Sequence, residues 1–406
     1  MNPAQLHTFF IQIAFMLAVA WLFGYLLKRL GQPIVLGEII GGILIGPTLL
    51  GTAYPELYAL LFPVDKAITT SVDALLKVGM LFFMFAAGLE VNLVHFQKSK
   101  WLITSTSLLG GVLPFVLGFG SVLLWPALWG QSDRLVLLAL FMGTALSISA
   151  LPVIARILME LGLIGSRIGM TIMTSAMIND WFGWIAFAFI LRSFGNQQIG
   201  GDVFAAIGLV LAYTAAVLIV CRCWARPFLR NSRVFKNWPG GELRGVSLLI
   251  VLAAIGAEIA GINAIFGAFL VGMALSEGAE TEQKSSVNAV IQPFALNFFA
   301  PLYFVSVGLK ANFSSQFDVT LCLVVLLVAC AGKILGAGLG ARIGGMPWRE
   351  ALAVGVGLNA RGAIEIILAS VALENHLIDQ RIFVALVFMA FLTTLLSSSW
   401  LKYLLK

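Results

Sequence analysis

The sequence predicts an all-α polytopic membrane protein of about thirteen transmembrane helices, arranged as two inverted six-helix repeats with two broken crossing helices. Its 406 residues are 60% hydrophobic and only 11% charged, less than half the charged share of a typical soluble domain. The apolar residues form runs of roughly 20, the length that crosses a bilayer as a helix. Similar segments also recur in the same order in the two halves of the chain.

The spans are delimited by short polar breaks between the apolar runs. The first run begins at about residue 8 and has no basic segment before it, so it predicts a spanning helix and not a cleavable signal peptide. Abundant glycine, 41 residues, is typical of helices that pack closely through small faces. The predicted spans are 7–29, 33–50, 72–92, 101–126, 134–158, 167–191, 203–224, 244–261, 263–277, 288–310, 318–342, 350–373 and 381–402.

An internal repeat relates the second and third spans to the ninth and tenth. The segment "VLGEIIGGILIGPTLLG" (35–51) is similar to "IFGAFLVGMALS" (265–276), and "LFFMFAAGLEVNL" (81–93) is similar to "PLYFVSVGLKANF" (301–313). The offsets are about 220 to 230 residues, and an odd number of spans separates the partners, so the halves would lie in the membrane with opposite orientations. Inverted repeats of this kind are typical of secondary transporters.

The repeat and the charge distribution predict the organisation and the orientation of the chain. We expect a first inverted repeat at 1–200 (spans 1–6), a connecting span 7 with a basic cytoplasmic loop at 201–240, and a second repeat at 241–406 (spans 8–13). Placing the N-terminus outside puts most of the 25 lysines and arginines on the cytoplasmic side. This predicts a multi-pass inner (plasma) membrane protein with a cytoplasmic C-terminus. The net charge of +6 then reflects loop positions and predicts no nucleic-acid partner.

Motifs of membrane enzymes and metal sites are missing from the sequence. There is no Walker A motif, no nucleophile elbow and no HExxH, and the four cysteines lack the second cluster that a zinc site needs. His7, His95 and His376 fall at span ends or in loops, which argues against a histidine relay. We therefore expect a transporter, not an enzyme, with no cofactor and with an ion gradient as its energy source.

Asp180 lies near the middle of span six, in "TSAMINDWFGWIAF" (174–187). An unpaired carboxylate at this depth costs at least a few kcal/mol, so a proton, a cation or a partner must neutralise it. The functional interpretation is a carrier of protons and cations, and the other interpretation is a carboxylate in a structural pair. Lys333, in "CAGKILGAG" of span eleven, is the candidate partner. It would either compete with ions for Asp180 or form a fixed ion pair.

Spans five and twelve carry interruptions at corresponding places in the two repeats. Gly/Pro/polar-interrupted helices of this kind indicate a binding site near the middle of the membrane, where unwound backbone offers carbonyl oxygens. Hydroxyl and carbonyl oxygens suit a hard cation, although serine and threonine also bond their own backbone at kinks. The residues concerned are Thr144, Ser147, Ser149 and Pro152 in "GTALSISALPVIAR", and Asn359, Arg361 and Glu365 in "GVGLNARGAIEII".

Two further features concern charge balance around that site. Arg361 and Glu365 are four residues apart on one helix face, so they could neutralise each other or the negative ends of the broken helices, which is a supporting role. Glu38 in span two and Glu258 in span eight are lone acids that could help to relay protons.

Five segments together resemble the monovalent cation:proton antiporter-2 family, in the right order and over nearly the whole chain. They are "GQPIVLGEIIGGILIGP" (31–47), "MFAAGLEVN" (84–92), "GTALSISALPVIARIL" (143–158), Asn179-Asp180 and "LNARGAIEIILA" (358–369). The resemblance implies the thirteen-helix fold of bacterial sodium/proton antiporters, with a dimerisation domain and a moving core domain, and hence a homodimer. It implies that Asp180 is the shared cation and proton carrier, that Thr144 contributes to the ion site, and that Lys333 pairs with the site acid.

Two departures from the family pattern refine the expected activity. Electrogenic sodium/proton antiporters of this fold usually have two adjacent aspartates, whereas the first is Asn179 here, so the simplest cycle exchanges one cation for one proton without net charge movement. A Lys333 that also releases its proton would instead make the exchange electrogenic. The potassium-efflux and plant-type relatives continue into a cytoplasmic regulatory domain, whereas this sequence ends at "WLKYLLK", so such a domain is either absent or cut off.

The predicted function is therefore exchange of Na⁺ or K⁺ for protons by alternating access, with the monovalent cation bound at Asp180 and Thr144. Other candidates are an organic solute symporter of the same fold, a potassium-efflux channel-like transporter, and a receptor built on an antiporter scaffold. The sequence does not distinguish Na⁺ from K⁺, because the positions of the carbonyl ligands decide that preference.

Overall fold

The structure, a computed structural model of the chain, describes residues 1–89, 100–130, 134–149, 154, 157–158, 161–163, 166–195, 203–225, 241–260, 262–276 and 286–405. Every regular element within these ranges is a helix, and none is a strand. The predicted all-α class is therefore confirmed. Pro152 and most of the predicted basic loop lie outside the described residues.

The helices follow one another through short connections. They are α1 (Pro3–Arg29), α2 (Ile34–Ile45), α3 (Leu50–Ala53), α4 (Pro55–Leu61), α5 (Lys66–Leu89), α6 (Lys100–Leu124), α7 (Pro126–Trp129), α8 (Leu135–Ser147), α9 (Arg167–Gly195), α10 (Val203–Val220), α11 (Gly241–Ile259), α12 (Ala264–Ser276), α13 (Ser286–Phe294), α14 (Ala300–Lys310), α15 (Phe313–Gln316), α16 (Val319–Ile343), α17 (Trp348–Leu358), α18 (Ala363–Glu374) and α19 (Gln380–Leu405). A π-helical turn, Cys221–Ala225, continues α10, and another, Ala295–Phe299, joins α13 to α14.

Helix length and composition make this a multi-pass membrane protein. Eight helical segments in the described ranges are long and apolar enough to cross a bilayer. In contrast, α8 has 13 residues, α17 has 11 and α18 has 12, which is well short of the roughly 20 that a spanning helix needs. Each of these three can span only together with a neighbouring segment, as expected for interrupted helices. The total of thirteen spans stays a prediction.

The helices form two compact units. The first unit comprises residues 1–22, 50–93 and 191–306, and the second comprises residues 23–49, 94–190 and 307–406. Each unit combines segments from both halves of the sequence. The predicted boundaries at 1–200, 201–240 and 241–406 concern the repeat and not these units, and they stay a prediction.

Close packing of α6 against α16 organises the second unit. A Cβ atom on Gly336 would lie 2.4 Å from the carbonyl oxygen of Leu109, so the two backbones approach closely only because residue 336 has no side chain. The hydroxyl of Ser105 adds a hydrogen bond of 2.8 Å to the carbonyl of Gly340. This contact fixes the middle of α16, where Lys333 is fully buried.

Two glycine contacts occur at equivalent places of the predicted repeat. Within the first unit, a Cβ atom on Gly88 would lie 3.0 Å from Cα of Gly272, and within the second unit a Cβ atom on Gly308 would lie 2.7 Å from Cα of Gly42. Gly88 is the repeat partner of Gly308, and Gly42 is the partner of Gly272. The third span of each half therefore packs on the second span of the other half. This exchange supports the inverted repeat.

Replacing Gly308 with alanine should lower the free energy of unfolding by about 1–3 kcal/mol. The new Cβ atom would lie 2.3 Å from the carbonyl oxygen of Ile39, and backbone cannot move aside as a flexible side chain can. We expect the same loss for Gly88→Ala. Thermal unfolding in detergent micelles measures both effects. Gly120→Ala is the matched control, because no atom lies within 4 Å of its added Cβ atom; equal losses for all three variants would contradict the prediction.

Candidate ion-binding site

The site begins where α8 stops in the interior of the second unit. α8 ends at Ser147, and Ile148 after it is extended, so the backbone N–H of Ser149 is free of helical bonding. That N–H donates to Oδ1 of Asp180 at 2.9 Å. Asp180 lies in the middle of α9 and is only 3% exposed. The backbone of one interrupted helix therefore holds the buried carboxylate predicted as the ion carrier.

The second interruption, between α17 and α18, meets the first. The Ser149 hydroxyl donates to the carbonyl of Leu358, the last residue of α17, at 3.0 Å. Asn359, which caps α17, donates through its side-chain nitrogen to Sγ of Cys330 at 3.4 Å. The two broken helices predicted from sequence are thus brought together, and Ser149 links both of them to Asp180.

Arg361 binds the negative end of α8. Its side chain is fully buried and donates to the carbonyl oxygens of Ala145 at 3.1 Å and Leu146 at 2.7 Å. It also pairs with Glu365 at 3.2 Å. Unsatisfied carbonyls at a helix C-terminus carry partial negative charge, which a nearby cation stabilises. Arg361 is therefore placed to neutralise both Glu365 and the end of a broken helix, and its supporting role at the ion site stays a prediction.

The backbone of Arg361 is held by α19. Thr394 accepts a hydrogen bond from the Arg361 N–H at 3.2 Å and donates one to the Arg361 carbonyl. Sequence reasoning missed this support, although the polar run "TTLLSSS" within an apolar span was a signal for it. Thr394 is fully buried, so its hydroxyl satisfies backbone groups that the helix interruption leaves unpaired.

Lys333 reaches the same region from α16. Its ammonium donates to the carbonyl of Ser147, the last residue of α8. Asn179, with its amide oriented to satisfy both of its groups, accepts from Lys333 Nζ at 3.2 Å and donates to the Ser107 carbonyl at 2.8 Å. The hydrogen bonds of Lys333 therefore go to a helix end and to Asn179, and not to Asp180. The role of Ser107 was not foreseen from the sequence.

The hydroxyl groups of Thr144 and Ser147 bond within α8. Thr144 donates to the carbonyl of Leu140 at 2.8 Å, and Ser147 donates to the carbonyl of Thr144 at 2.8 Å. This is the backbone bonding that competes with a ligand role for such residues. Each hydroxyl oxygen still keeps lone pairs that can bind a cation.

Among the described residues, four buried ionisable side chains surround the crossing: Asp180, Glu365, Lys333 and Arg361, each at most 3% exposed. Two carboxylates and two cations balance when all four are ionised. The buried oxygens Asn359 Oδ1 and Glu365 Oε2 have no hydrogen-bond partner among the described residues. Buried acceptors of this kind are costly unless a donor or a cation satisfies them. The cluster thus offers oxygen ligands together with a charge balance that one bound proton or cation changes by one unit.

The two lone acids are in different settings. Glu258 is exposed and accepts a hydrogen bond of 3.0 Å from the N–H of Ala264, so it caps the turn before α12. Glu38 is buried in α2. That Glu38 or Glu258 helps to relay protons stays a prediction.

Comparison with known proteins gives consistent matches. Residues 15–406 match the family described as sodium/hydrogen exchanger, transmembrane. The Na(+)/H(+) antiporter NhaS4 of Synechocystis is 31% identical over 95% of this chain and 94% of its own length. The Na(+)/H(+)-K(+) antiporter GerN of Bacillus cereus is 30% identical over 97% and 96%.

Cation/H(+) antiporter 18 of Arabidopsis thaliana is 33% identical over 96% of this chain, which covers 48% of that protein. The chain spans about half the length of the plant relatives that it matches. Among solved structures, the sodium proton antiporter MjNhaP1 from Methanocaldococcus jannaschii superimposes with a TM-score of 0.70, covering 98% of each chain at 14% identity. That likeness shows a shared fold.

Proposed function

This chain belongs to the family of transmembrane sodium/hydrogen exchangers, and on that premise we propose that it exchanges a monovalent cation for protons across the membrane by alternating access. The observation that carries the proposal is the buried Asp180 carboxylate, held by Ser149 at the crossing of two interrupted helices. In this proposal Asp180 binds either a proton or a cation and never both, and mutual exclusion couples the two fluxes.

The charge balance of the site supports a one-for-one cycle. With the four described side chains ionised, their charges cancel, and one proton or one monovalent cation at Asp180 changes that sum by the same +1. The two loaded states would therefore move equal charge in opposite directions. The transported ion is Na⁺ or K⁺, with Asp180 and the oxygens of Thr144 and Ser147 as its proposed ligands. Lys333 and Arg361 would hold the end of α8 in both states.

A proteoliposome assay tests this function. The purified protein is reconstituted with a pH-sensitive dye inside, and Na⁺, K⁺ or Li⁺ is added with and without a clamped membrane potential. We expect at least one of these ions to drive proton movement at a rate that the clamp does not change. Failure of all three ions, together with uptake of an organic solute, would favour a symporter instead. Every relative named above is an antiporter by name, which does not favour that alternative.

Asn179→Asp should make the exchange sensitive to membrane potential. The new carboxylate would lie where the Asn179 amide now accepts from Lys333, at 3.2 Å. An ion pair would then replace the hydrogen bond between the Lys333 ammonium and an uncharged amide. A second titrating group then allows a second proton per cycle. The rate with and without the clamp measures the change. Asn375→Asp, which adds the same charge at an exposed residue, is the control; a clamp-insensitive Asn179→Asp would contradict the prediction.

The assembly and orientation are part of the same proposal. We propose a homodimer in the plasma (inner) membrane, with the N-terminus outside and the C-terminus in the cytoplasm. The imbalance of basic residues between the two sides supports the orientation. Light scattering in detergent tests the dimer. Labelling of Cys223, which is exposed just beyond α10, tests the orientation. A cytoplasmic Cys223 should resist a membrane-impermeant thiol reagent added outside and react once the membrane is permeabilised, whereas reaction with the outside reagent alone would contradict the orientation.

A further inference from the structure

Glu38 lies in the middle of α2, apart from the four charged side chains of the ion site, and is 5% exposed. α2 packs against α1 at this level, where a Cβ atom on Gly24 would lie 3.8 Å from Cγ of Glu38. Among the described residues no side chain or backbone group forms a hydrogen bond or an ion pair with the Glu38 carboxyl group. It is a buried carboxyl group that the proposed exchange does not use.

The charged groups on the helices around Glu38 are engaged elsewhere or lie toward the helix ends. On α1, Lys28 and Arg29 occupy the last turn, and the Arg29 guanidinium lies 4.7 Å from the centre of the Tyr25 ring. α14 packs on α2 through Gly308, and its Lys310 pairs with Glu374 at 2.7 Å. Glu38 is the only charged residue of α2. The carboxyl group therefore has no described cation to neutralise it.

Packing does not require an acid at this position. The repeat partner of Glu38 is Ala268 in α12, which is fully buried. The glycines that allow close approach on either side of it are the same in both repeats: Gly37 and Gly42 in one, Gly267 and Gly272 in the other. An alanine thus fills the equivalent place between glycines that also approach neighbouring backbone closely. Relative to that alanine, Glu38 has an extra carboxyl group, and burying this polar group costs free energy.

We propose that Glu38 is a second proton-binding site, which holds a proton in the conformation of this structure and ionises only when water enters between α1 and α2. An ionised, unpaired carboxylate in this setting would cost several kcal/mol, whereas the protonated acid carries no charge. When the interface opens, the O–H proton passes to water and the carboxylate remains, hydrated. Proton binding at Glu38 therefore favours the closed interface, and rising pH shifts the population toward conformations that hydrate it.

Infrared spectroscopy of the reconstituted protein tests whether Glu38 holds a proton. The C=O stretching band of a protonated carboxyl group is followed while pH is raised, for the wild type, Glu38→Gln and Asp180→Asn. We expect one band component that titrates to be lost in Glu38→Gln and to persist in Asp180→Asn. An unchanged spectrum in Glu38→Gln would overturn the proposal. This readout needs no transport, so it stands even if the proposed exchange fails.

The effect of Glu38 on the conformational equilibrium rests on the proposed exchange and is tested by the rate. Glu38→Gln mimics the protonated acid, so exchange at acidic pH should match the wild type, while at alkaline pH the variant should keep its acidic-pH behaviour where the wild type departs from it. Glu38→Ala introduces the alanine found at the equivalent position 268 and should give the same pH profile. Agreement of the two variants would show that the effect comes from losing the carboxyl group and not from introducing an amide. An alkaline limb identical to that of the wild type in both variants, each eluting as a single species on gel filtration, would refute a regulatory role.

Discussion

Asp180→Asn should reduce cation-driven proton movement in proteoliposomes to the level of protein-free vesicles. The amide cannot bind a proton as the carboxylate does and carries no charge to attract a cation. The cycle would then lose both of its cargoes at the same step. The measurement is the dye response to Na⁺, K⁺ and Li⁺ described above.

The structure predicts that this loss is not caused by unfolding. The side-chain oxygen of the new asparagine can still accept the Ser149 N–H that Asp180 accepts at 2.9 Å, so thermal stability should change little. Asp379→Asn, which removes an exposed acid paired with Arg381 at 3.5 Å, is the matched control and should exchange normally. Retained exchange in a correctly folded Asp180→Asn protein would overturn the assignment of the carrier.

Arg361→Met should destabilise the protein by about 3–5 kcal/mol, the cost of breaking a buried ion pair from one side. It leaves the Glu365 charge buried and the carbonyl oxygens of Ala145 and Leu146 without their donor. Since those carbonyls form the end of α8, the position of Ser149 against Asp180 should also loosen. Thermal unfolding and the exchange assay together measure both consequences.

A double-mutant cycle separates the buried charge from the helix end. Arg361→Met combined with Glu365→Gln should recover part of the stability, because the stranded carboxylate is removed too. The carbonyls of α8 stay unsatisfied, so recovery should be incomplete. Lys310→Met is the control: its pair with Glu374 is 30% and 40% exposed, and such pairs contribute about 1 kcal/mol or less. A loss for Arg361→Met as small as that for Lys310→Met would show that the cluster is not needed for the fold.

Periodicity and motif spacing pointed to several of the residues that meet at the crossing. The interruptions in spans five and twelve led to Ser149, Asn359 and Arg361, and the structure brings all three to the same crossing. The family expected from the motifs is confirmed. The helix that carries Asp180, α9 at Arg167–Gly195, agrees with the predicted span of 167–191 at its start and extends beyond it at its end.

The hydrogen-bond partners of individual side chains could not be predicted from the sequence in this way. Lys333 as the charge partner of Asp180 stays a prediction, and the hydrogen bonds of its ammonium go to the Ser147 carbonyl and Asn179. A helix end with free carbonyls competes for a lysine as a carboxylate does, and a sequence does not show which of the two lies within reach. Thr394 was missed because its partners are backbone groups of Arg361, left unpaired where the helix is interrupted. Ser107 was missed because its backbone carbonyl, and not its side chain, accepts the hydrogen bond from Asn179.

The sequence by itself determined that this chain is a helical membrane protein with a buried acid between interrupted helices, since apolar run length and the cost of intramembrane charge leave few alternatives. Only the tertiary structure decided how the four buried charges are shared, with Arg361 and Lys333 at the end of α8 and Asp180 on the Ser149 N–H. That sharing depends on distances of about 3 Å between groups far apart in sequence, because hydrogen bonds and ion pairs weaken steeply beyond that range.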